Sequence, residues 1–203
     1  MRSKTTIELF RYWNTLRGER DLPRRDEIEP QEICALLPSL FILERQPSGD
    51  IRFRLAGTHV CALFGRELRG QPFGALWPPS EASEAVRVAD QVMAQHSLAA
   101  LSACGLTADG ERLETELLLT PLGSPQGGSD RILGSLAPLS RPSWLHMTPL
   151  ECLVAQGLEI LDSRRGERAE VAEASHPADA TRRREEIGRK VQHLRIFEGG
   201  RER

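Results

Sequence analysis

The sequence predicts an α+β domain, an antiparallel sheet with helices segregated to one face. Three observations predict it. Helix and strand signals come in the order helix, two strands, short helices, one longer helix, three strands, with no βαβ alternation. Ile51-Arg52-Phe53-Arg54-Leu55 alternates apolar residues with arginines, the pattern of a half-buried antiparallel strand. Asp109-Gly110 stands between two further strand candidates as a short hairpin signal.

Taken in order, Leu9, Trp13 and Leu16 fall at helical spacing between Thr6 and Arg17, with Phe10 and Tyr12 widening the apolar face. Gly18 is a fitting helix end. A charged connector with Pro23 follows, and Pro30 opens a short helix that Pro38 stops. Phe41–Arg45 and Ile51–Leu55 form a hairpin around the turn residues Pro47-Ser48-Gly49-Asp50. Gly57, Gly65 and Gly70 punctuate a region of short helical turns carrying Val60, Leu63, Phe64 and Leu68. Ser80 reads as the N-cap of a longer helix whose stripe runs through Ala82, Ala85, Val86, Ala89, Val92 and Met93 to an end near His96. Leu98–Thr107, Arg112–Thr120 and Arg131–Leu139 complete five strands, with Glu114 and Glu116 expected on a solvated face.

Composition narrows the function. The 203 residues carry a formal net charge of -2, so no global basic field points to nucleic acid. No stretch is long and apolar enough to span a bilayer, and Met1-Arg2-Ser3-Lys4 does not lead into a signal core. Cys34, Cys61, Cys104 and Cys152 form no CxxC pair and read as free thiols in a reducing compartment, which places the protein in the cytoplasm. From about Ser163 the chain turns charged and Ala-rich and reads as a flexible linker, with an apolar end, Val191–Phe197, suited to docking.

One stretch has a more specific signature. It holds Tyr12-Trp13, Leu16-Arg17-Gly18 and Arg20, then Pro23, Arg25-Asp26 and Pro30, then Leu37-Pro38 and Phe41-Ile42-Leu43. Arg52 to Thr58, Phe64-Gly65 and Leu68-Arg69-Gly70 complete it. Together these resemble a PAS-like family common in alphaproteobacteria, standalone PAS domain proteins formerly carried as a domain of unknown function. The resemblance implies a five-stranded antiparallel sheet of order 2-1-5-4-3 and a sensory or protein-interaction role in signalling. It brings no catalytic residues and no settled ligand. The chain then divides into an N-terminal amphipathic helix and connector over 1–30, a PAS-like core over 31–140, and a partly disordered extension over 141–203 with a short apolar end.

Motifs for chemistry are sparse. No GxGxxG, P-loop or GxSxG occurs. His59-Val60-Cys61 lacks the three or four ligands a metal needs, and Cys61 lacks the neighbours of a flavin photosensor; no cofactor or metal is expected. A ligand cavity between sheet and short helices would be lined by Phe53, Arg54, Leu55, His59, Val60, Phe64, Leu68 and Trp77, all but the charged ones also ordinary core residues. Arg54, with Arg17, Arg20 or Arg25, is the candidate for an anionic ligand or partner unless a nearby carboxylate takes it. Phe10, Trp13, Leu16 and Arg17 form a candidate interface, to a partner, to a second copy, or back onto the sheet. The expectation is a non-enzymatic cytoplasmic sensory module that binds a small ligand, a signalling protein partner, or both, with a homodimer among its forms. A DNA-associated regulator using Arg182–Lys190 and a small enzyme are the alternatives.

Overall fold

The computed structural model describes residues 1–125 and 127–161, and the backbone of two short strands beyond them. Among the described residues there are three α-helices: α1 (Lys4–Arg17), α2 (Thr58–Leu63) and α3 (Pro79–Gln95). The strands are β1 (Leu40–Arg45), β2 (Ile51–Ala56), β3 (Leu98–Thr107), β4 (Arg112–Gly123), β5 (Ser129–Pro138), β6 (Leu150–Leu161), β7 (Arg189–Val191) and β8 (Leu194–Phe197). The sheet order is β2-β1-β5-β4-β3-β6-β8-β7.

The expected order 2-1-5-4-3 is there, and β1 to β6 pair antiparallel throughout. The count of five strands needs correction. Leu150–Leu161, inside the stretch assigned to the extension, is a sixth strand along β3. Its inward residues Leu150, Leu153, Ala155 and Leu158 join the core. The strand β8 lies parallel to β6, and β7 antiparallel to β8. The expected linker from Ser163 and the basic run Arg182–Arg184 lie outside the described residues.

Local chemistry explains the other differences. The segment after Pro30 forms single hydrogen-bonded turns and a 3-10 turn, Leu37–Ser39, rather than a helix. It is short, and Pro30 and Pro38, which have no N–H to donate, bound it. Helix α3 begins at Pro79, so Ser80 sits inside the first turn and is not the cap. His96 ends α3 in the left-handed region, at φ 54°.

The sheet is buried on both faces. On one, α3, α2 and the 3-10 turn Phe73–Leu76 cover Phe41, Leu43, Leu101, Leu117 and Leu136. On the other, α1 lays Leu9, Phe10 and Trp13 over Leu98, Leu118, Leu122 and Leu133. Gly134 is required where these layers meet, because a Cβ there would lie 2.3 Å from the Phe41 ring.

Candidate functional site

The interior between sheet and helices is the first place to look for a site. Phe53, Val60, Phe64, Leu68 and Trp77 all point into it and are buried. They are packed against each other and not around a space. Phe41 meets Phe53 edge-on with centroids 5.6 Å apart, Phe53 meets Phe73 at 5.9 Å, and Phe73 meets Trp77 at 6.1 Å. The void beside Trp77, bounded by Ala85, Val88, Leu101 and Ala155, measures about 10 Å³. That is room for one water molecule at most. Phe41 and Phe73, which sequence reasoning did not assign to the cavity, complete the fill.

Leu55 does not join this lining. It is 49% exposed on the opposite side of its strand. The cause is a bulge. Ile42 pairs with Leu55 but Leu43 pairs with Phe53, so Arg54 is an extra residue in β2 and reverses the alternation after it. No residue type in Ile51–Leu55 signals the bulge, so strict alternation gave the wrong face for Leu55.

Arg54 is taken by a carboxylate. Its Nη1 donates to Glu44 Oε2 at 3.3 Å, while Arg131 donates through Nε to Glu44 Oε1 at 3.0 Å. The Arg131 hydrogen bond, helped by the nearby charges of Arg131 and Arg54, holds the Glu44 carboxyl below its ordinary range against the opposing pull of burial. The proposed grouping of Arg54 with Arg17 or Arg20 does not form. Arg17 lies over the Trp13 ring at 5.7 Å and bonds Asn14 and the Arg20 carbonyl, and Arg20 bonds Glu27. Asp26 pairs with Arg24.

The α1 face is spent inside the molecule. Phe10 and Trp13 are buried, and the Trp13 indole Nε1 donates to the Pro121 carbonyl at 2.8 Å. Leu16 is half-buried. Glu116 is a correction. Expected in solvent, it is 3% exposed, and its carboxylate accepts the backbone N–H of Arg2 at 2.8 and 3.0 Å and of Ser3 at 2.8 Å. It ties down the start of α1.

His59 is elsewhere than the interior. It is exposed on α2, with Nδ1 3.4 Å from Ser39 Oγ and its ring centroid 6.1 Å from that of His146. Both rings face a cleft of about 440 Å³ that Arg2, Lys4 and Arg141 also line. A second cleft of about 410 Å³ opens beside Arg2, Glu116 and Glu159 on the outer side of the sheet. Burial pushes the Cys61 and Cys152 thiols up, against the activation a reactive cysteine needs. Among the described residues no group of three or more His, Cys, Asp or Glu is placed to hold a metal ion.

The family model of the PAS domain matches residues 1–137. The chain belongs to the PAS domain family. That span runs from α1 to the end of β5, so the helix on the outer face is part of the PAS unit the family model describes. Similar solved structures include the LOV protein of Rhodobacter sphaeroides, at 20% identity and a TM-score of 0.42, covering 56% of this chain and 68% of that one. Another is the PAS domain of a Colwellia psychrerythraea protein, at 13% identity and a TM-score of 0.42, covering 55% and 98%. No curated protein matches the chain. The PAS assignment makes this a sensory-module fold. Among the described residues, no helix of this PAS protein is long and apolar enough to cross a membrane.

Proposed function

We propose that this PAS protein is a non-enzymatic, cytoplasmic regulatory module that takes its input at its surface, from a signalling protein partner or a small ligand, and not in its interior. The observation that carries this reading is the filled core. The aromatic run Phe41–Phe53–Phe73–Trp77 occupies the space between sheet and short helices, and the void beside it holds no more than a water. Ligand sites of ordinary size need several hundred Å³. Phe53, Val60, Phe64, Leu68 and Trp77 act in this reading as core, and His59 as a surface residue. A homodimer would use surfaces other than the Phe10 and Trp13 face, which α1 already commits to its own sheet.

Native mass spectrometry of the freshly purified full chain tests this. The expected spectrum shows the polypeptide mass with no stoichiometric apolar or aromatic small molecule. A chromophore or lipid retained one-to-one would overturn the reading.

A further inference from the structure

The cleft of about 440 Å³ at the start of α1 has a lining with one sign of charge. Arg2 and Lys4 enter from the N-terminus, His59 from α2, and Arg141 and His146 from the segment between β5 and β6. Ser39 adds a hydroxyl within reach of His59. No described Asp or Glu lines this cleft. Lys4 reaches Glu8 one turn along, at 3.6 Å on the surface, but neither the Arg2 nor the Arg141 guanidinium has an ion-pair partner among the described residues. Most other arginines described above are paired, as Arg54, Arg131 and Arg20 are. The Glu116 carboxylate is committed to the Arg2 and Ser3 N–H groups and lines the neighbouring cleft instead.

Arg2 and Lys4 from the N-terminus and Arg141 from the segment after β5 are cations gathered in one cleft, where they repel one another, and a carboxylate in the lining would relieve that at little cost. The lining has none among the described residues. His146 also holds φ at 66°, a conformation that costs a non-glycine residue free energy, and that conformation accompanies a ring placed 6.1 Å from His59. Two guanidinium forks suit the oxygens of a phosphate, which they can engage bidentately, and imidazoles add directional donors. The volume fits a small molecule and is well above that of a single ion.

We infer that this cleft binds a small phosphate-bearing molecule with at least two anionic groups, with Arg141, Arg2, His59 and His146 as its contacts. The inference rests on the surface-input reading only for the part such a ligand plays in signalling; binding itself stands apart from it.

The test is isothermal titration of the full chain with inorganic pyrophosphate at fixed ionic strength, beside Arg141→Ala, His59→Ala and, as control, Arg54→Ala. Citrate under the same conditions separates phosphate from carboxylate recognition. The expected result is saturable one-to-one binding of pyrophosphate, tighter than that of citrate. Arg141→Ala should weaken it about tenfold or more, as the loss of a charge-assisted hydrogen-bonding group does, and His59→Ala severalfold. Arg54→Ala should leave it unchanged. Arg141→Lys, which keeps the charge and the surface position, should retain part of the affinity and guards against a folding defect in the alanine variant. Absence of saturable binding, tighter citrate binding, or equal weakening by Arg54→Ala would each overturn the inference. None of these outcomes bears on whether the interior holds a ligand, which the native mass spectrum decides.

Discussion

Glu44 holds two arginines from two neighbouring strands, Arg54 on β2 and Arg131 on β5. Its carboxyl is held below the ordinary carboxylate range, first by the Arg131 hydrogen bond. A group whose folded pKa is depressed contributes stability that is complete above its unfolded pKa of about 4.3 and is lost as pH falls through the folded value. Glu44→Gln should therefore cost about 1 kcal/mol at neutral pH, an amount suited to partly exposed cross-strand pairs. The difference from the natural protein should shrink as the pH drops below about 4. Urea unfolding at neutral and acid pH measures both. A cost that stays constant down to pH 3 would show that the ion pairs contribute nothing. At this scale Arg54 has a carboxylate within reach, the circumstance under which the sequence reading makes it structural and not a ligand group. That carboxylate is Glu44, which pairing across β1 and β2 brings close and which no local spacing identifies.

At the scale of elements, α1 is a layer of the domain. Its apolar stripe meets Leu118, Leu122 and Leu133, its Trp13 indole is bonded to Pro121, and Glu116 secures its first residues. Trp13→Ala should lower the unfolding free energy by about 3–5 kcal/mol, the range for deleting a buried large aromatic side chain. Denaturant unfolding followed by far-UV circular dichroism measures it, and a loss under about 1 kcal/mol would mean that α1 is a loose flank. The 3.6-residue period made α1 and α3 legible, and period-2 alternation made the hairpin legible. What local patterns could not carry was nonlocal. The bulge at Arg54 moved Leu55 outward, β4 is covered on both faces and so buries Glu116, and β6 docks on a strand more than forty residues earlier. Leu150–Leu161 alternates well enough to be a strand, but with polar Glu151, Gln156 and Glu159 between its apolar residues it reads as weakly as an extension. The cationic cleft was hidden for the same reason, since Arg2, His59 and His146 are far apart in sequence and only the fold brings them together.

At the scale of the whole molecule, the PAS sheet order is present, yet the space that would serve as an interior site is taken by side chains. Phe53 and Trp77, expected to line a cavity, pack there with Phe41 and Phe73, which were not. Two openings of useful size lie outside the core, both beside the start of α1. A ligand in the proposed cleft would lie where Arg2 and Ser3 are fixed to Glu116, since the cleft and the helix anchor share those two residues. Xenon enters dry apolar cavities and leaves close-packed interiors empty. Diffraction from crystals of the full chain under xenon pressure therefore tests the filled core most directly. The expected result is no xenon among Phe41, Phe53, Phe73, Trp77 and Leu101, and an ordered xenon atom at that position would contradict it.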